Sequence, residues 1–418
     1  MSGIWAPCLR MSRHKIFPPV KIVSASGGWL YTEEGHKIFD ATSSWWCKHL
    51  GHRHPKIMAA ISRQSEQYIH AIGANTYSES IEALSKKLTN IYPDLNRVSY
   101  ASDGSSAVEI AIKMALHTRK IMRPEDKRTG ILKLEGAYHG ETILAMSVSD
   151  CEMYKLNYKE ILINTLTCPV LGACNGISDH LWHDADATWS ETERQLEQIS
   201  DKVGILIVEP LLQAANCMRI YSADWLEKLM LWCKRNNIDI IFDEIMTGFW
   251  RTGRYMAADY MTTRPDFICL GKGLSAGSIP ISAVLAKDDR FLACYPERGP
   301  EQPFLHSHTY SAHALAAATA DAALSVYQEL DITELALNLS SCLEHELLSN
   351  TRSLGCVVAA EVTLDELGAA DIQKVAAENG LLIRPLGNTI YICPPLNTTS
   401  EEVEHIKQAL FKSLESLC

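Results

Sequence analysis

Ile238-Asp-Ile-Ile-Phe-Asp243-Glu-Ile245, followed by Asp266-Phe-Ile-Cys-Leu-Gly-Lys272, decides the reading of this chain. Each is a short, largely apolar run of strand character that carries an ionisable residue to its C-terminal end or just beyond it. In an open α/β sheet, ligands bind at that edge. An Asp and a Lys delivered there together suit one task. The carboxylate keeps a pyridine nitrogen protonated while the amine condenses with an aldehyde, which is the protein's share of pyridoxal phosphate chemistry. Alone, either residue reads as a capping acid or a solvated lysine, so the pair needs a phosphate seat beside it.

Ser102-Asp103-Gly104-Ser105-Ser106 offers that seat. It joins a strand pattern, Arg97–Ala101, to a helix pattern running from Ser105 to about Lys120, with Ala107, Ala111 and Ala115 on one face. The free amides and positive end of such a helix form an anion site, and Gly104 lets the backbone approach closely. Tyr138, in Glu135-Gly-Ala-Tyr-His-Gly140, follows the strand pattern Ile131–Leu134. It can stack on a pyridine ring, a contact that contributes about 0.5–1.5 kcal/mol. Ile245 would pack on the ring's opposite face. Glu209, in Val208-Glu-Pro210, is another acid at a strand end, without a role of its own. Arg251 and Arg384 stand in Gly-containing loops, where a guanidinium can take a substrate carboxylate bidentately. His306, His308 and His313 cluster in sequence, but no acid or cysteine completes a ligand set. No metal is expected.

Around these motifs the pattern alternates strand and helix. Gly204–Val208 is a further buried strand, and Ala223–Arg235 an amphipathic helix with Trp225, Leu229 and Trp232 at core spacing. Residues 150–185 carry little periodicity. The expectation is an α/β fold with a mostly parallel sheet covered by helices. A chain of 418 residues exceeds a single core. The predicted division is a large domain over residues 50–321 and a smaller α+β domain built from both ends, 1–49 and 322–418. The chain carries a formal charge of −11 and shows no Lys/Arg-rich run, so neither a nucleic-acid nor a membrane partner is expected. Anionic substrates must then be caught by individually placed cations. Thirteen scattered cysteines without a Cys-x-x-Cys pair, no signal-peptide pattern and no membrane-length apolar run predict a cytoplasmic protein.

Taken together, these motifs resemble the class III aminotransferases of fold type I, nearly end to end. Within that family, Asp40-Ala-Thr-Ser-Ser-Trp-Trp46 and Ile383-Arg-Pro-Leu-Gly387 are similar to the branch that makes 7,8-diaminononanoate for biotin biosynthesis. The resemblance implies Lys272 as the lysine that holds pyridoxal 5′-phosphate and Asp243 as the partner of the ring nitrogen. It implies Gly104 and Ser105 at the phosphate, joined by Thr309 from the neighbouring subunit of a homodimer. Tyr138 and Ile245 would sandwich the ring. Arg384 would bind the carboxylate of 8-amino-7-oxononanoate, Arg251 would serve substrate binding, and Trp45 would line the channel. S-adenosylmethionine is the donor this branch implies; lysine, a diamine or an ω-amino acid is the alternative. A paralogue that binds the cofactor without catalysis is disfavoured by the intact Lys272, Asp243 and Tyr138. Four departures fall near the expected pocket. Trp5-Ala-Pro-Cys8 replaces Trp-His-Pro-Tyr, and Gly248-Phe-Trp-Arg-Thr-Gly253 replaces Gly-Phe-Gly-Arg-Thr-Gly. Glu141 stands for Asp, and His308 for Pro. Trp250 and Cys8 are expected to reshape the donor site.

Overall fold

Strand runs buried on both faces, alternating with amphipathic helices, build a seven-stranded sheet in the computed structural model. The model describes residues 4–8, 18–297, 299–363 and 366–417. The strands are β1 (Arg97–Ala101), β2 (Gly130–Leu134), β3 (Leu166–Cys168), β4 (Val203–Val208), β5 (Asp239–Asp243), β6 (Phe267–Leu270) and β7 (Ser282–Ala286). Their spatial order is β1-β7-β6-β5-β4-β2-β3. Strand β7 is antiparallel to both its neighbours, and the other pairings are parallel. Side-chain alternation divides β4 between two cores. Ile205 and Ile207 pack with helix α1 (Gly104–Met122), while Leu206 and Val208 pack with helices α2 (Ala223–Arg235) and α3 (Ala314–Tyr327). Helices on both faces explain why the strands read as continuous apolar runs.

The helix and strand limits follow local chemistry. Asp103 caps α1 by accepting from the Ser106 amide at 3.0 Å, and Ser222 caps α2 in the same way. Helix α2 ends at Asn236, and Asn237 takes φ of 54° to turn the chain into β5. Trp225, Leu229 and Trp232 are fully buried, as their spacing requires. The weakly periodic stretch 150–185 holds the edge strand β3, which was not expected; with three residues it is too short for periodicity to reveal. At the opposite edge from the strand C-termini, Asp239 and Asp266 are buried in an ion network with Arg119, Arg290, Lys234 and Lys287. Burial would raise the Asp266 carboxyl, but Lys234 and Lys287 hold it down at about 2.

Both ends of the chain meet in a four-stranded sheet. Ile22–Ser26, Trp29–Thr32 and Lys37–Asp40 form an antiparallel meander, and Leu381–Leu382 adds to it in parallel. Leu348–Leu354, Val357–Val362 and Thr389–Ile392 form a three-stranded sheet, and the helix Ser400–Glu415 packs against Thr333–Leu339 and Leu381–Leu382. The twelve described cysteines are all free thiols. No helix among the described residues is long and apolar enough to cross a membrane.

Candidate active site

The parallel strands deliver their C-terminal residues to one edge, where a cavity of about 200 Å³ opens. Its lining includes Gly104, Ser105, Tyr138, Asp243, Ile245 and Lys272, drawn from the ends of β1, β2, β5 and β6. Asp243 closes β5 and pairs in register with Cys269 of β6, so Lys272 emerges just beyond its neighbour's end. Lys272 has φ of 37°, and the following turn is fastened by the Tyr327 hydroxyl, which donates to the Gly273 carbonyl at 2.6 Å. Burial pulls the Lys272 amine below the ordinary lysine value, opposed first by the charge of Asp243.

Asp243 is held from two sides. One oxygen accepts the Ile245 amide at 3.1 Å, and the other lies 2.8 Å from His139 Nδ1. A carboxylate only accepts, so Nδ1 carries the proton. His139 is a residue that sequence reasoning missed, although it sits inside the quoted Tyr138-His-Gly motif. Glu209 is another. It is buried, it accepts the Tyr138 amide at 2.7 Å, and burial, reinforced by Asp243, pushes its carboxyl up to about 8. At neutral pH it is mostly an uncharged acid, which spares the floor of the cavity a second full negative charge.

The residues present fit a small ring with a phosphate. A cavity of about 200 Å³ is smaller than the roughly 300–1,000 Å³ pockets that enclose drug-sized ligands. The first amides of α1 have no partner within the helix, and Gly104 and Ser105 bring them to the cavity wall. Side chains are excluded where the cradle is tight. A Cβ at Gly104 would lie 2.9 Å from Ile245 Cδ1, and one at Gly140 would lie 2.1 Å from Ser105 Oγ. Tyr138 stands on the wall with its hydroxyl donating to Glu141 at 2.9 Å, and burial raises that phenol well above its usual value.

Trp45 and Trp46 arise from an unusual turn. Ser43, Ser44, Trp45 and Trp46 have φ of 48°, 48°, 65° and 67°, a left-handed turn made without glycine. Such a conformation costs roughly 1–2 kcal/mol per residue. Trp46 joins the cavity wall, its ring 5.3 Å from Lys272 Nζ. Trp45, 40% exposed, lies under the Arg384 guanidinium at 4.3 Å. Arg384 also donates to the Cys8 carbonyl at 3.3 Å.

Two expected placements differ. Arg251 is fully buried and does not line the cavity. It donates to the Pro394 carbonyl at 2.7 Å and approaches His49 Nδ1 at 3.4 Å. With positive φ at Phe249 and Trp250 just before it, it points inward to His49, which lies against Gly273, rather than into the cavity. Trp250 likewise stays out of the cavity. Its indole N–H donates to the Tyr327 carbonyl at 2.8 Å, and its ring packs edge-on against Tyr255. Thr309 is exposed and away from this chain's own cavity, with its carbonyl 2.9 Å from His70 Nε2. The three histidines separate: His306 faces His308 at 3.0 Å, while His313 stacks on His70. Cys8 Sγ lies 4.0 Å from Glu141.

A family model described as aminotransferase class-III matches residues 11–414. The adenosylmethionine-8-amino-7-oxononanoate aminotransferase of Helicobacter pylori is 36% identical, over 99% of this chain and 96% of its own. The crystal structure of the enzyme of that name from Methanocaldococcus jannaschii superposes with a TM-score of 0.90 at 28% identity, covering 99% and 97% of the two chains. An amine transaminase from an uncultivated Pseudomonas species, solved in its PLP-bound form, also gives 0.90 at 26% identity, over 100% of this chain and 99% of its own. The chain belongs to the class III aminotransferases and is a pyridoxal phosphate-dependent transaminase of fold type I.

Proposed function

We propose that the enzyme aminates the 7-keto group of 8-amino-7-oxononanoate to give 7,8-diaminononanoate, with S-adenosylmethionine as amino donor. The observation that carries this reading is Arg384. It is half-buried on the face of Trp45 and, among the described residues, has no carboxylate within ion-pair distance. A guanidinium held in this way suits a substrate carboxylate. The names of the relatives from Helicobacter pylori and Methanocaldococcus jannaschii support the same acceptor. The acceptor's five methylenes contribute about 0.8 kcal/mol each when buried, about 4 kcal/mol in all. A wall of Trp45 and Trp46 favours such a chain over a short keto acid.

Bound pyridoxal phosphate supplies an aldehyde that joins to amines and a ring that spreads the charge left when a carbon loses its proton. In our reading Lys272 would hold that aldehyde and, once free, would serve as general base at the substrate carbon, its amine poised by burial. Asp243, oriented by His139, would keep the proton on the ring nitrogen. Gly104 and Ser105 would hold the phosphate, and Tyr138 and Ile245 would pack on the ring; all four line the cavity. Arg251 acts from behind the Lys272 segment through His49.

A second donor reading, lysine, a diamine or an ω-amino acid, is favoured by Glu141. Its exposed carboxylate beside Tyr138 and Cys8 offers an anion to a donor's second ammonium group. We further infer a cytoplasmic homodimer in which Thr309 completes the neighbouring subunit's phosphate site. Exposed apolar side chains support the contact: Ile69, Ile72, Tyr77, Leu305 and Tyr310 lie on two segments joined through His70. The two-domain division, 50–321 against 1–49 with 322–418, is proposed on the sheet that unites both chain ends.

Titration of the holoenzyme tests the reaction. S-adenosylmethionine is expected to bleach the cofactor's visible absorbance, and 8-amino-7-oxononanoate to restore it. Bleaching by lysine but not by S-adenosylmethionine would transfer the donor role to the second reading. Failure of the keto acid to restore the band would contradict the acceptor.

A further inference from the structure

The left-handed turn that presents Trp45 and Trp46 is organised around one buried side chain. Asp40 is 1% exposed, and its carboxylate accepts four hydrogen bonds from the turn. One oxygen takes the Thr42 amide at 3.1 Å and the Thr42 hydroxyl at 2.8 Å. The other takes the Ser44 amide at 2.6 Å and the Ser44 hydroxyl at 2.7 Å. The turn is then closed by the Trp46 amide donating to Thr42 and the Cys47 amide donating to Ser43. Ser43 completes it by donating to the Cys393 carbonyl at 2.7 Å. Four successive residues in the left-handed region persist only when their surroundings fix them, and Asp40 supplies most of that fixing.

Asp40 also sets where the turn begins relative to Arg384. It pairs in parallel register with Leu382, two residues before the arginine, and the Ala41 amide donates to the Leu382 carbonyl at 3.1 Å. One acid therefore fixes the position and the hand of the segment whose indole lies 4.3 Å under the guanidinium. A cation–π contact occupies the guanidinium's face and leaves the N–H groups not given to the Cys8 carbonyl for a carboxylate. Relaxed to a right-handed turn, the segment would swing Trp45 away.

We propose that Asp40 is a positioning residue for carboxylate recognition. By holding residues 43–46 in their left-handed turn it keeps Trp45 against Arg384 and sets the site's preference for carboxylate-bearing acceptors. The proposal rests on Arg384 being the carboxylate seat of the proposed function.

Calorimetric titration of the holoenzyme with nonanoate, an unreactive straight-chain carboxylate, tests it without turnover. Wild type, Asp40→Ala, Trp45→Ala and the double variant form a cycle. Asp40→Ala is expected to weaken nonanoate about tenfold, with Trp45→Ala at least as damaging. The double variant is expected to bind no worse than Trp45→Ala alone, because Asp40 acts through the indole. Losses that multiply in the double variant, or wild-type affinity in a folded Asp40→Ala protein, would overturn the proposal. Should Asp40→Ala not fold, Asp40→Asn, which keeps the volume and one accepting oxygen, carries the same cycle under the same criterion. A wild type that ignores nonanoate overturns this proposal together with the Arg384 seat. A cycle that holds in an enzyme that refuses 8-amino-7-oxononanoate overturns the proposed reaction alone.

Discussion

Asp243 and Lys272 stand at the ends of adjacent parallel strands, and this position makes both of them legible in the sequence itself. An ionisable residue at the close of an apolar run has few reasons to be there. Asp243→Ala is expected to loosen the cofactor and slow the first half-reaction. The buried positive charge it leaves unpaired costs roughly 3–5 kcal/mol, to be read by equilibrium dialysis of the cofactor and by single-turnover rates. Arg384→Ala is expected to raise KM for the keto acid about 10- to 100-fold, the worth of a hydrogen bond to a charged group, with kcat at saturating acceptor changed far less. Steady-state kinetics check it, and an unchanged KM would place the carboxylate elsewhere. Arg251 is not legible in the same way. It comes just after left-handed backbone at Phe249 and Trp250, neither of which is glycine, so their residue types give no warning of that conformation. His139 escapes notice because its role depends on a partner from another strand.

Elements long enough to show their period are legible. Arg97–Ala101 and Ala223–Arg235 have the same limits in sequence and structure. Leu166–Cys168 and the reversed strand Ser282–Ala286 escape, the first for brevity and the second because an apolar run does not reveal its direction. In the proposed function the N-terminus of α1 seats the cofactor's phosphate. Gly104→Ala puts a methyl group 2.9 Å from Ile245 Cδ1, so the isoleucine must shift from the ring face or the backbone must leave the phosphate. Weaker cofactor binding with little loss of fold stability is expected, measured by dialysis and by thermal unfolding of the apoprotein. A Gly104→Ala variant that holds the cofactor as tightly as wild type would remove α1 from the phosphate site.

At the scale of the whole molecule, burial raises two acids at the functional edge, Glu209 and Glu244, above the ordinary carboxyl range. Burial raises Glu209 to about 8, and burial raises Glu244 to about 7 although it accepts the Ala258 and Ala257 amides. A carboxyl whose folded value exceeds its unfolded value binds its proton more tightly in the native state. Its stabilising contribution is complete below about 4.5 and is lost as pH rises through the folded value. The loss is at most about 1.4 kcal/mol per pH unit for each group. His49 has the opposite slope, since burial and Arg251 depress its imidazole, so comparison with a variant isolates the acid. Urea unfolding of the apoprotein is expected to show wild type losing stability relative to Glu209→Gln between about pH 4.5 and about pH 8. Parallel pH profiles would show that Glu209 is ionised in the fold. The account as a whole depends on Lys272 being the covalent anchor of the cofactor in a cavity floored by Asp243. Borohydride reduction of the holoenzyme followed by peptide mass mapping tests this most directly. The cofactor's mass is expected on the peptide that contains Lys272 and on no other; finding it on a different lysine, with Lys272 unmodified, would contradict the account.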